Sequence, residues 1–129
     1  MKKTIYTLNI NNYAPEIRAL TWPLLRRYAD KIGAEFFVIN ERQFPDQDIM
    51  TEKMQIYSLA KQRGDDWAIY IDSDCLVHPD TMDFTEVLPF DTVMNNGSDY
   101  AACRYTYDEY FRRDGRHIAS CGWLGVASK

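Results

Sequence analysis

The chain is poor in the residues that build small metal or disulfide scaffolds: of 129 residues, three are Cys and two are His. Cys75, Cys103 and Cys121 are odd in number and widely spaced, and no CxxC pair occurs. That argues against a zinc ribbon and fits a reducing compartment. Long hydrophobic runs are missing as well. The N-terminal MKKTIYTLNINN carries only a short apolar stretch, broken by Asn9. It is too short and too polar for a signal-peptide core or a membrane span. A cytoplasmic protein without a transmembrane segment is therefore expected. An excess of positive charge is also absent. The formal net charge of −4 argues against a broad footprint for nucleic acid or anionic membrane. No internal repeat and no low-complexity tract occurs.

What is present is the composition of one soluble domain. Apolar residues make up 46% and charged residues 26%, and the length suffices for a hydrophobic core without staples. Most of the nine Tyr are expected in or beside that core. Lys3–Ile10 (KTIYTLNI) is β-branched and aromatic and reads as a first strand, ended by Asn9, Asn11 and Asn12. A helix follows from Tyr13-Ala14-Pro15. Ile17, Leu20, Leu24, Tyr28 and Ile32 recur at three- and four-residue intervals and predict its buried face. Pro23 predicts a kink or break, with Thr21 capping a restarted helix. Gly33 is the expected stop.

EFFVIN (Glu35–Asn40) predicts a second strand covered on both faces. A polar loop over 41–49 leads to a second helix, with Thr51 as its expected cap. Met54, Ile56, Tyr57, Leu59 and Ala60 form its apolar side and Gly64 ends it. Trp67–Ile71 is the third strand. This β-α-β-α-β order predicts a three-layer α/β/α, Rossmann-like fold with a mainly parallel sheet, and one antiparallel strand late in the order. Residues 82–94 read as a short helix plus loop. Asn95-Asn96-Gly97 reads as a turn, Tyr100–Arg104 as a fourth strand, and Ile118–Ala127 as a last strand containing Gly122 and Gly125.

The chemistry is concentrated in WAIYIDSDCLVHPD, Trp67–Asp80. An apolar strand there ends in Asp72 and Asp74. In parallel sheets ligands bind beyond the carboxyl ends of the strands, the edge that Asn9, Asn11 and Asn40 also reach. An unpaired buried carboxylate is costly, so the pair needs partners, and a divalent cation shared with phosphates is the simplest. Three chemistries use such a pair. One is metal-bridged binding of a nucleotide diphosphate. The second is a phosphohydrolase of the haloacid-dehalogenase kind, with Asp72 as nucleophile and Asp74 as general acid. It ranks lower, because that motif usually sits on the first strand, and because Leu76 stands where Thr or Val is usual. The third, a calcium loop, fails at Leu76 and lacks the closing Glu.

The order of strand one, the Tyr-bearing helix start, EFFVIN, the helix with Lys53 and YIDSDCLVHPD resembles the N-terminal half of GT-A-fold glycosyltransferases, of the galactosyltransferase and glycogenin kind. SCGWLGVAS (Ser120–Ser128) is similar to a later strand of that family. The resemblance implies a hexosyltransferase that binds a nucleotide-sugar donor, UDP-sugar in the usual case, with Mn²⁺ or Mg²⁺, and an acceptor that nothing in the sequence names. It implies Asp72 and Asp74 as metal ligands. Thr7, Leu8 and Asn9 would line the base and ribose pocket, and Tyr13 would stack on the base. Lys53 would lie near the diphosphate or support the acids. Ser73 and Gly122 would lie at the donor. No residue is singled out as a catalytic base. Ser120 departs from the family's usual Asn. The chain also ends where the family continues into an acceptor part, so residues 1–129 are expected to form one donor-binding domain lacking that part.

Each of these residues also has a structural reading. On that reading Asp72 ends a strand by accepting backbone N–H groups, Tyr13 staples a helix start, Lys53 is a solvated helix residue, and Cys75 is a buried thiol. His78 and His117 read as loop residues unless the fold returns them to the acids. Arg112, Arg113 and Arg116 form either a solvated face or an anion grip. A nucleotide-binding module without catalysis is the non-enzymatic alternative.

Overall fold

The computed structural model describes residues 1–95 and 124–129. Strand β1 (Lys3–Leu8) lies inside the sheet because its two faces are apolar in different ways. Ile5 points to one side, and Tyr6 and Leu8 to the other, as the two-residue period of a strand requires. It pairs in parallel with β2 (Glu35–Ile39) and with β3 (Trp67–Ile71). Strand β5 (Leu124–Ser128) runs antiparallel to β3, and β4 (Val93–Asn95) antiparallel to β5. The sheet order is β2-β1-β3-β5-β4. β5 alone runs against the other four, as the sequence predicts of one late strand.

Helices cover both faces. α1 (Pro15–Ile32) packs Leu25, Tyr28, Ala29 and Ile32 on Ile5, Trp67, Ile69 and Ile71. α2 (Gln55–Arg63) brings Ile56, Leu59 and Ala60 to Tyr6, Ile39 and Tyr70 on the opposite face. The α/β, three-layer, Rossmann-like expectation therefore holds. β2 is an edge strand, and its apolar run is covered by arginine stems. The guanidinium of Arg26 lies 4.6 Å from the ring centre of Phe36, and that of Arg63 lies 4.6 Å from that of Phe37.

Several local expectations are corrected. α1 passes through Pro23 as one helix. Ala19, whose carbonyl loses its N–H partner to Pro23, and Pro23 itself are both on the exposed side, where water replaces the missing bond. The buried face of α1 is rotated from the predicted one. Thr21, Leu25, Tyr28, Ala29 and Ile32 are buried, whereas Ile17 and Leu20 are exposed. Thr21 caps nothing; its hydroxyl leaves the helix for a neighbouring loop. α2 starts later than predicted, at Gln55, after a 3-10 turn over Ile49–Met54 that Asp48, not Thr51, caps through its side chain and the Met50 N–H. Met54 and Tyr57 are exposed, outside the apolar side assigned to them. Gly33 and Gly64 end α1 and α2 in left-handed conformation, as predicted. Within 82–94 the short helix exists as α3 (Phe84–Val87), but Val93 and Met94 are strand, not loop. The expected strand at Tyr100–Arg104, most of Ile118–Ala127, Gly122, His117, Cys103, Cys121 and the Arg112–Arg116 cluster lie outside the described residues.

Among the described residues no helix is long and apolar enough to cross a membrane.

Candidate functional site

The acid pair stands at the carboxyl end of β3, between β1 and β5. Strand alternation sends Trp67, Ile69 and Ile71 to the α1 face, and Tyr70 and Asp72 to the α2 face. Tyr70 and Asp72 are thus neighbours on one side of the strand, and the Tyr70 hydroxyl donates to Asp72 Oδ1. Lys53, in the 3-10 turn that leads into α2, reaches the same oxygen: its Nζ is 3.1 Å from Asp72 Oδ1 and lies 4.8 Å from the centre of the Tyr70 ring. Lys53 is buried, while the Asp72 side chain keeps 26% of its surface. One oxygen of Asp72 is therefore held by an ammonium and a phenol. Burial, and then the Asp72 carboxylate, push the Tyr70 hydroxyl far above the ordinary tyrosine range, so it stays a donor at neutral pH.

The loop after β3 is a tight turn, with the Cys75 N–H on the Asp72 carbonyl at 3.1 Å. Ser73 is buried at its crest, and its carbonyl accepts the hydroxyl of Thr21 from α1 at 2.5 Å. This fixes the backbone between the two acids and leaves Asp74 exposed. Among the described residues Asp74 makes one long hydrogen bond, 3.5 Å from the Tyr13 hydroxyl to Oδ2. Cys75 packs against the α1-side core, and burial, then Asp72 and Asp74, raise its thiol to about 11. It is a protonated structural thiol, not a soft metal ligand.

Lys53 is in turn placed by its neighbour in sequence. Glu52 is completely buried and accepts four hydrogen bonds: from Arg42 Nε at 3.0 Å, the N–H groups of Gln43 at 2.8 Å and Phe44 at 3.0 Å, and Gln55 Nε2 at 2.6 Å. Burial alone would raise its carboxyl, but these donors outweigh burial and hold it below the usual range. Glu52 ties the long β2–α2 connection to the start of α2 and so sets where Lys53 emerges.

The rim opposite is the turn after β1. Thr7 is fully buried, so its side chain faces the interior, not an open pocket, and its hydroxyl has no partner among the described residues. Leu8 packs beside Tyr6 and Ile39. The Asn9 N–H donates to the Ile39 carbonyl at 2.8 Å, and its amide donates to Asn40 Oδ1 at 3.0 Å, bringing together two residues expected at this edge. Asn11, Asn12 and Ala14 all have positive φ, at 56°, 51° and 44°. Asn tolerates this conformation, but Ala14 stores about 1–3 kcal/mol of strain there. This strained turn places Tyr13 exposed, 3.5 Å from Asp74. His78 is exposed and turned to Asp80, whose N–H it accepts at 3.1 Å. Thus Asp72, Lys53, Asp74 and Tyr13 are brought together. Thr7 is built into the interior, Leu8 is partly buried against the α2-side core, and Gly122 lies outside the described residues.

Three residues of the site have roles that the sequence does not announce. Thr21 has the pattern of a helix cap, and neither Tyr70 nor Glu52 belongs to a motif. Only Tyr70 carried a signal: two residues before Asp72 on a strand, it must share its face.

No protein-family model and no curated protein sequence matches the chain. Among solved structures, one similar chain is described as a "crystal structure of a glycosyltransferase involved in the glycosylation of the major capsid of PBCV-1", with a TM-score of 0.62 and 14% identity over 100% of the present chain. The two chains share a fold. The present chain spans 61% of the length of that one.

Surface concavities lie elsewhere too. One of about 400 Å³ runs along α1, and one of about 270 Å³ lies between α1 and residues 77–79. Neither is lined by Asp72 or Asp74. Among the described residues no cluster of three or more His, Cys, Asp or Glu could hold a metal ion.

Proposed function

We propose that this chain is the donor-binding part of a metal-dependent glycosyltransferase of the GT-A kind, using a UDP-sugar. The observation that carries this reading is the pair Asp72 and Asp74 at the carboxyl end of the central parallel strand, with Lys53, from the turn that leads into α2, beside Asp72. Carboxylates and an ammonium at one sheet edge suit a ligand that brings both a cation and a diphosphate. The likeness in fold to a glycosyltransferase supports it.

The residues fit a divalent ion in a limited way. Asp72 and Asp74 supply two hard oxygen donors, one of them exposed. Mg²⁺-type sites commonly use one or two carboxylates and complete the shell with phosphate and water oxygens. When bound, Mn²⁺ or Mg²⁺ would neutralise charge on the departing diphosphate. The chain's own groups have separate tasks. Asp74, with no cation beside it among the described residues, is the freer ligand. Asp72 offers the oxygen not engaged by Lys53 and Tyr70. Lys53 places positive charge at the same edge, where phosphate oxygens would lie. Tyr13 presents an exposed ring beside Asp74 for the base.

A nucleophilic role for Asp72 is disfavoured on these contacts. An ammonium and a phenol on one oxygen withdraw the charge a nucleophile needs. Calorimetry with UDP tests the proposal. Binding is expected with Mn²⁺, much weaker binding without it, and loss of the metal-dependent part in Asp74→Ala. Equal binding with and without Mn²⁺, or a phosphatase activity abolished by Asp72→Asn, would overturn it.

A further inference from the structure

Away from the acid pair, the outer face of α1 carries a second arrangement of chemical interest. Arg18, Trp22 and Arg26 fall four residues apart and therefore share one face. With Pro15, Ala19 and Pro23 they line the concavity of about 400 Å³. The Arg18 guanidinium lies 4.9 Å from the centre of the Trp22 ring, Arg26 lies 4.6 Å from that of Phe36, and the Trp22 and Phe36 rings meet edge to face at 6.0 Å. The result is a continuous wall of two aromatic rings, each carrying a guanidinium.

Two features of that wall are unfinished. Neither Arg18 nor Arg26 has a carboxylate partner among the described residues; Arg18 donates only to the neutral side chain of Asn12. In addition, Trp22 Nε1 and Arg18 Nε are both shielded from solvent and have no acceptor among the described residues. Buried N–H donors are nearly always bonded, so two orphans on adjacent side chains of one groove mark a place where acceptor oxygens are missing. No described lining residue is acidic. The described residues therefore leave these acceptors to be supplied, and two guanidiniums select an oxyanion among them. The partly exposed indole of Trp22, which lines the groove, adds an apolar plane of the size a sugar ring covers.

We propose that this groove is a second binding site, separate from the acid pair, for a sugar-sized ligand that bears a phosphate or a carboxylate. The oxyanion sits between Arg18 and Arg26, and the carbon skeleton lies against Trp22. Arg18 turns off the indole to admit it, which opens both orphan N–H groups to ligand oxygens.

The indole N–H of Trp22 is the reporter. Its ¹H–¹⁵N signal, one of three Trp in the sequence, is assigned by its loss in Trp22→Phe. The protein is titrated with glucose 6-phosphate, glucuronate, inorganic phosphate and glucose. A saturable shift of the Trp22 signal with a charged sugar and none with glucose is expected, and which charged sugar acts distinguishes phosphate from carboxylate. Arg26→Gln should weaken that binding about tenfold or more, as loss of a charge-assisted bond implies. Asp74→Ala should leave it unchanged, which separates this site from the proposed donor site. The proposal fails if neither charged sugar gives a saturable shift, if glucose binds equally well, or if inorganic phosphate binds as tightly as the sugar phosphate. The comparison of ligands on the unaltered protein decides the matter even if a variant does not fold.

Discussion

Thr21→Val tests whether the acid loop is held from the α1 side. The substitution keeps the branched shape of the side chain and removes only the hydroxyl that donates to the Ser73 carbonyl at 2.5 Å. Both residues are buried, so water does not replace the bond. Leaving a buried acceptor unmade costs about 1–3 kcal/mol. Taking about 2 kcal/mol, and a urea dependence of about 2 kcal/mol per molar for a domain of this size, the unfolding midpoint should fall by roughly 1 M with no change in slope. Thr21→Ser is the control. It keeps the donor and loses one methyl, which costs about 1 kcal/mol. The two variants should differ more in function than in stability. Valine frees the backbone between Asp72 and Asp74, and so should weaken Mn²⁺-dependent UDP binding, whereas serine should preserve it. The reasoning fails if the valine midpoint stays within roughly 0.3 M of the parent, or if serine weakens UDP binding as much as valine does.

Other consequences are equally direct. Asp83 donates nothing and accepts from Lys3 at 2.5 Å and from Thr85; burial raises its carboxyl, but these partners together hold it below the usual value, as four donors do for Glu52. Depressed native carboxyls stabilise above their unfolded values of about 4 and lose that contribution as pH falls through the lower native values. Urea midpoints should therefore be flat near neutrality and fall below about pH 4, and Asp83→Asn should flatten that acid limb. Lys53→Met should destabilise by roughly 2 kcal/mol in urea melts, less than the loss at a fully buried pair, because Asp72 keeps 26% of its side-chain surface. It should also weaken UDP binding in calorimetry. Gly33→Ala has open space for its Cβ but a φ of +69°, so conformation alone should lower thermal stability, by about 1 kcal/mol or more.

The parts of the fold that were legible in the sequence are those written in local periodicity. β1, β2 and β3, the glycine stops of α1 and α2, and a late antiparallel strand follow from patterns a few residues long. Errors arose where tertiary contact outvotes local rule. Pro23 predicts a break in α1 by itself, yet it lies on the exposed side of a helix anchored by Leu25, Tyr28 and Ala29. Thr21 and the apolar Ile17 and Leu20 have the same explanation. Periodicity says that a helix has an apolar face, but a polar residue joins the buried face when a loop carbonyl, here that of Ser73, is waiting for its hydroxyl. Glu52 is the extreme case. Nothing in IMTEKM says that the glutamate is interior, because all the compensation comes from Arg42, Gln43, Phe44 and Gln55.

The acid pair shows the same division at the level of chemistry. Its position at a strand end was readable from WAIYIDSD, but the different states of its two members were not. Asp72 faces the α2 layer and is matched by Lys53 and Tyr70; Asp74 lies beyond the turn and faces solvent. The two layers of helix therefore act on the loop in different ways. α1 pins its backbone through Thr21, and the turn before α2 neutralises its first carboxylate through Lys53. On the proposed reading, this asymmetry lets a motif spaced two apart receive a cation and a polyanion at one place. A carboxylate already matched by an ammonium would add little net repulsion toward phosphate, and the exposed one would be left for the metal. If that is how the loop works, Asp74→Asn should abolish metal dependence while sparing the fold, and Asp72→Asn should destabilise the protein by removing the charge that faces the buried Lys53 ammonium at 3.1 Å. Measured together by urea melts and Mn²⁺ titration, a reversal of that order would show that the roles of the two acids are exchanged.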